Sequence, residues 1–113
     1  KDFLHNKIVK CGFGDHEFDL VSGDISVTLP DYIDKRPGMK ISMLYLDLDL
    51  AGPTYDVLCS AWDRVSKGGI VVFDEYGFHK WSESKGVDKF FNDKEIQVMS
   101  LDYIAPSAYV VKK

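Results

Sequence analysis

Two short apolar runs, each ending abruptly in acid, constrain this chain more than any other feature. Met43-Leu44-Tyr45-Leu46 is followed by Asp47, and Ile70-Val71-Val72-Phe73 by Asp74 and Glu75. Neither run alternates apolar with polar residues, so each predicts a strand buried on both faces, as in the middle of a parallel sheet. The first strand is expected over residues 41–50. Between the runs, Pro53 suits the first turn of a helix. Tyr55, Leu58, Cys59, Trp62 and Val65 then recur at helical spacing through residue 66, and Gly68-Gly69 closes the helix. A strand, a crossover helix and a second strand imply parallel pairing.

The flanks extend the alternation. Phe3, Leu4, Ile8 and Cys11 share a helical face over residues 2–11, which Gly12 and Gly14 end. Residues 18–22 form a short apolar run that predicts a strand, broken at Gly23-Asp24. Residues 28–34 predict a short helix or loop before the Pro37-Gly38 turn. Residues 81–92 predict a helix with Val87, Phe90 and Phe91 inward. Residues 96–101 and 108–111 predict an antiparallel strand pair joined through Ala105-Pro106-Ser107. The class is therefore α/β: a Rossmann-like, three-layer fold, mostly parallel, with helices on both faces of the sheet and an antiparallel pair at the C-terminal end.

Composition excludes several functions. At 113 residues there is material for one small domain, without an internal repeat or dividing linker. The net charge of -4 comes from scattered carboxylates, which argues against a nucleic-acid partner. No apolar run approaches the roughly 20 residues that span a bilayer, and no signal peptide is evident, so no membrane partner is expected. Cys11 and Cys59 fit no metal or redox spacing and fall on apolar helix faces. They read as reduced packing residues, which favours a cytoplasmic setting. Assembly into a homo-oligomer stays open.

The chemistry concentrates at the strand ends. If the two strands pair in parallel, Asp47, Asp74 and Glu75 converge at the carboxyl edge of the sheet, where open α/β sheets bind ligands. Three clustered carboxylates repel one another unless a cation neutralises them. An all-oxygen set suits Mg²⁺, or Mn²⁺ or Ca²⁺, rather than Zn²⁺. Asp49 is either a further ligand or a cap for the helix near Pro53. His79, four residues past the acidic pair, is a candidate general base. Tyr76, Phe78 and Trp81 either line an acceptor pocket or pack beneath the loop.

These residues carry a resemblance. Leu46-Asp47-Leu48-Asp49-Leu50, then Pro53-Thr54, then the run from Gly68 to Tyr76 resemble the metal-binding core of the macrocin-type sugar O-methyltransferases, and the spacing from Asp47 to Asp74 fits too. Upstream, Val21-Ser22-Gly23-Asp24 and Thr28-Leu29-Pro30 resemble the family's Gly-acid step followed by Thr-Leu-Pro. That family belongs to the class I methyltransferases, which use S-adenosylmethionine. The resemblance implies a single partial methyltransferase domain over residues 1–113, the metal and acceptor half, C-terminal in the parent fold. It implies that Asp47, Asp74 and Glu75 hold Mg²⁺, and that the acceptor is a small hydroxylated molecule such as a sugar or glycoside. It also implies that Asp24 borders the adenine of the cofactor, although a turn-forming role for Asp24 is equally compatible with its place after Gly23. Two departures stand out. Glu75 occupies a position usually held by Asp, and Ala51-Gly52 replaces a bulkier pair.

The Gly-rich loop after the first strand of such a fold, and the ribose-binding acid after the second, have no counterpart here. The isolated chain is therefore expected to show weak or no methyl transfer, an expectation that tight S-adenosylmethionine binding in a calorimetric titration would contradict. Two other classes compete. Asp47-Leu48-Asp49 also resembles the nucleophile motif of haloacid-dehalogenase-type phosphohydrolases, but Ala51 stands where that family has Thr or Val. A non-catalytic metal-binding or dimerisation fragment is the second alternative.

Overall fold

The computed structural model describes residues 1–78 and 82–113. In chain order the elements are α1 (Asp2–Lys10), α2 (Ile25–Asp34), β1 (Ile41–Leu46), α3 (Ala51–Ala61), a 3₁₀ turn (Trp62–Arg64), β2 (Val65–Phe73), α4 (Ser84–Phe91), β3 (Met99–Ser100) and β4 (Ala108–Val111). The sheet order is β1-β2-β4-β3. β1 and β2 are parallel, with Leu44 opposite Val71 and Leu46 opposite Phe73. β4 runs antiparallel to both β2 and β3, which matches the expected C-terminal pair.

The core lies on one face of this sheet. Leu46, Val71, Phe73, Ala108 and Val110 point into it, against Val57 and Leu58 of α3 and Val87, Phe90 and Phe91 of α4. Phe90, Phe91 and Trp62 meet edge to face, with ring centroids 4.9 to 5.8 Å apart, in the geometry favoured by the ring quadrupole. α2 leans on α3 and contributes Ile25 and Leu29 to the rim of the core. Gly86 lets α4 come this close. A Cβ there would stand 2.2 Å from the Ala51 carbonyl oxygen in the first turn of α3.

Several expectations change. Residues 18–22 run as coil rather than a strand. Among the described residues no strand lies alongside to take their backbone hydrogen bonds, and apolarity alone does not make a ladder. Consequently, among the described residues, only the β1–β2 ladder is parallel and β1 lies at the edge of the sheet. Among the described residues, α3 and α4 pack on one face of the sheet. Met43, Tyr45, Ile70 and Val111 on the other face are all at least 40% exposed. The apolar run in β1 thus marks two apolar faces of which one is covered. Helix α3 ends earlier than its periodicity suggests, and the glycine turn at Gly68 (φ +80°) falls within the span of β2, where Gly68 N–H donates to the Lys112 carbonyl at 2.7 Å. Cys11 and Cys59 are free and exposed rather than packed inside. Among the described residues no helix is long and apolar enough to cross a membrane.

Candidate active site

The parallel register carries past the ends of β1 and β2. Leu46 pairs with Phe73, and the Asp74 N–H donates to the Leu46 carbonyl at 2.9 Å. Asp47 and Asp74 are therefore next neighbours across two parallel strands, whose spacing is roughly 4.8 Å. Alternation continued one step puts both on the open face of the sheet. Glu75 follows Asp74 in the loop beyond β2. Among the described residues, no three His, Cys, Asp or Glu side chains stand close enough to enclose a metal ion as they are arranged. The donor chemistry of Asp47 and Asp74 suits a hard cation. Glu75, next in the chain, is the candidate third ligand.

Tyr45, two residues before Asp47 on the same face, donates its phenol hydrogen to Asp74 Oδ1. That hydrogen bond, followed by desolvation and the charges of Asp74, Asp47 and Glu83, pushes the phenol up from 10.0 to about 12. A raised folded-state value means that the neutral phenol supports the fold at every pH below about 10, and that this support fades as the pH climbs through 12. Ultraviolet titration of the folded chain is expected to show a phenolate component that ionises near 12 and vanishes in Tyr45→Phe. Ionisation of that component near 10 would mean that the contact with Asp74 is absent in solution.

The loop after β2 is held from several sides. Ser107 N–H donates to the carbonyls of Phe73 and Asp74 at 3.0 and 3.1 Å, and Ser107 Oγ to the Tyr76 carbonyl at 3.0 Å. Gly77, in the left-handed region at φ +87°, donates its N–H to Ser84 Oγ at 2.6 Å. The Tyr76 hydroxyl donates to Asp88 at 2.7 Å, and burial followed by that bond pushes its phenol up to about 12. The loop after β1 turns tightly. Asp49 has φ +60°, and the Leu50 N–H reaches back to the Leu48 carbonyl at 2.7 Å, closing a γ-turn in its rarer, positive-φ form.

Glu83 joins the two loops, and sequence reasoning missed it. Its carboxylate is fully buried. Oε1 accepts the N–H of Leu48 at 2.8 Å and of Asp49 at 3.4 Å, and Oε2 accepts the N–H of Glu75 at 3.2 Å. An acid at the start of a helix is ordinary, so nothing in the sequence marks this one as buried.

Asp24 caps α2, its carboxylate accepting the Ser26 N–H at 2.9 Å. Between Asp24 and the β1 loop lies an apolar cavity of about 430 Å³ walled by Val21, Ile25, Leu29, Tyr32 and Leu48. The N-cap position of α3 belongs to Leu50 and has no side-chain cap, so Asp49 does not fill the capping role. His79 and Trp81 lie outside the described residues.

A family profile for macrocin O-methyltransferase (TylF) matches residues 3–109. The chain belongs to the macrocin O-methyltransferase family. Among solved structures, CalS11, described as a TDP-rhamnose 3'-O-methyltransferase of calicheamicin biosynthesis, is 34% identical over 81% of the chain, with a TM-score of 0.73. The O-methyltransferase NovP superposes over 100% of the chain with a TM-score of 0.84, and at 22% identity it shows the shared fold alone. A search of curated protein sequences found no match. The chain spans 40% of the CalS11 structure and 45% of the NovP structure, less than half of either. Set within this family, the four strands are part of a methyltransferase sheet, and the acids after β1 and β2 stand at its carboxyl edge.

Proposed function

We propose that this chain forms the acceptor side of an S-adenosylmethionine-dependent O-methyltransferase that acts on a sugar or glycoside hydroxyl. The observation that carries the reading is the register of Asp47 beside Asp74 at the carboxyl ends of two parallel strands. Family membership and the sugar named for CalS11 support the acceptor class.

In the transfer, the acceptor oxygen forms a bond to the methyl carbon as the bond from carbon to sulfonium breaks. S-adenosylhomocysteine leaves, and the hydroxyl proton is lost. Asp47, Asp74 and Glu75 would hold Mg²⁺, which would favour loss of that proton by withdrawing charge from the oxygen. The chain's own contribution is alignment. A loop pinned at Ser84, Ser107 and Asp88 holds Asp74 still, and fixing oxygen, carbon and sulfur in line removes much of the entropic barrier. The apolar cavity lined by Gly23 and Ile25, the neighbours of Asp24, is of a kind that takes a flat ring, and Asp24 is the candidate contact for the cofactor's adenine end. The phosphohydrolase alternative needs a cation poised on phosphate and has no family support.

The test is methyl transfer by the intact protein from S-adenosylmethionine to nucleotide-linked deoxysugars, read by mass spectrometry. A gain of one methyl group on a sugar hydroxyl, dependent on Mg²⁺ and lost with a chelator, is expected. Transfer that persists undiminished in chelator would remove the metal from the account.

A further inference from the structure

We propose that Glu83 is a positioning residue that sets the spacing of the two acidic loops, and so the fit of a divalent cation between them. The proposal rests on the reading of Asp47 and Asp74 as a cation site. A carboxylate with no solvent exposure is costly unless its oxygens are fully used. Among the described residues its three donors are backbone N–H groups, and they come from two different loops: Leu48 and Asp49 after β1, and Glu75 after β2. The last ladder bond between those strands is that of Asp74 N–H to Leu46. Beyond it the sheet no longer fixes the two chains relative to each other, and Glu83 takes over.

Two further features fit. The Asp49 N–H lies within the γ-turn at φ +60°, a strained conformation that persists only where its surroundings hold it. The Glu83 carboxylate also holds backbone of both loops and so acts through them rather than as a ligand. Such outer groups typically change metal affinity about 10- to 100-fold. Because Glu83 immediately precedes α4, the docking of α4 through Gly86 fixes where the carboxylate sits.

The experiment compares the intact protein with Glu83→Gln, which keeps the shape but faces one loop with an amide N–H instead of an acceptor. Mn²⁺ serves as the probe, titrated by electron paramagnetic resonance. Amide hydrogen exchange is followed in chelator. The expected result is Mn²⁺ binding weakened about 10-fold or more, with faster exchange confined to Leu48, Asp49 and Glu75 while α3 and β2 stay protected. Unchanged Mn²⁺ affinity beside a lower melting temperature would overturn the proposal and leave Glu83 a purely structural acid. If the unsubstituted protein binds no Mn²⁺, the cation reading fails instead. The exchange pattern then still decides whether Glu83 spaces the loops: local acceleration supports it, and uniform or absent acceleration refutes it. Should Glu83→Gln fail to fold, Glu83→Asp, too short to serve both loops, is read in the same two ways.

Discussion

Gly86→Ala is expected to destabilise the chain by about 2 kcal/mol or more, against the ordinary gain of alanine in a helix. In a free helix that exchange would stabilise by up to about 1 kcal/mol. At this position the new methyl would meet the Ala51 carbonyl oxygen at 2.2 Å, with the Tyr55 nitrogen at 3.0 Å. Both are backbone atoms in a helix and cannot rotate aside. α4 would have to back away from α3, loosening Val87, Phe90 and Phe91 in the core, and overpacking of this kind costs about 1–3 kcal/mol, sometimes more. In a domain of this size the loss corresponds to roughly 10 °C in melting temperature. Gly52→Ala, where the added Cβ meets nothing within 4 Å, is the control and is expected to be neutral or slightly stabilising. Equal melting temperatures for the two variants would show that α4 does not dock on α3 as described.

Asp74→Asn in the intact protein is expected to lower kcat/KM at least about 100-fold, close to 3 kcal/mol of transition-state stabilisation, while the fold is kept. The amide oxygen can still accept the Tyr45 hydrogen, and the backbone bonds from Asp74 N–H to Leu46 and from Ser107 N–H to the Asp74 carbonyl are untouched. What disappears is one of the two charges that face each other across the strand ends. Asp47→Asn is expected to behave in the same way. Steady-state kinetics beside a melting curve separates the cases. A variant with full activity would remove Asp74 from the chemistry, whereas one that melts early would show that its charge serves the fold.

The sequence made the strand–helix–strand unit legible because local pattern and tertiary role agree there. Asp47 and Asp74 end two apolar strands, and parallel pairing alone makes them neighbours. The same pattern misjudged burial in β1. Met43 and Tyr45 look like core residues, but their exposure depends on what covers the second face of the sheet, which no local window encodes. Residues 18–22 failed as a strand for a related reason: a ladder needs a partner, and none of the described strands lies alongside. Asp24 sits after Gly23 and before a helical run, where its carboxylate caps α2. Glu83 was invisible because its burial arises only when α4 closes onto both loops. The turn at Asp49 was invisible because a positive φ is usually announced by glycine, and here none stands at the turn.

Asp47 and Asp74 are proposed to hold one hard cation at the mouth of the sheet. Anomalous diffraction from crystals of the intact protein soaked in Mn²⁺ tests it most directly. A single strong peak bridging the two carboxylates, with oxygens at about 2.1 Å, is expected. Both carboxylates pointing apart with the Mn²⁺ bound elsewhere, or no peak in a lattice that leaves the site open, would contradict it.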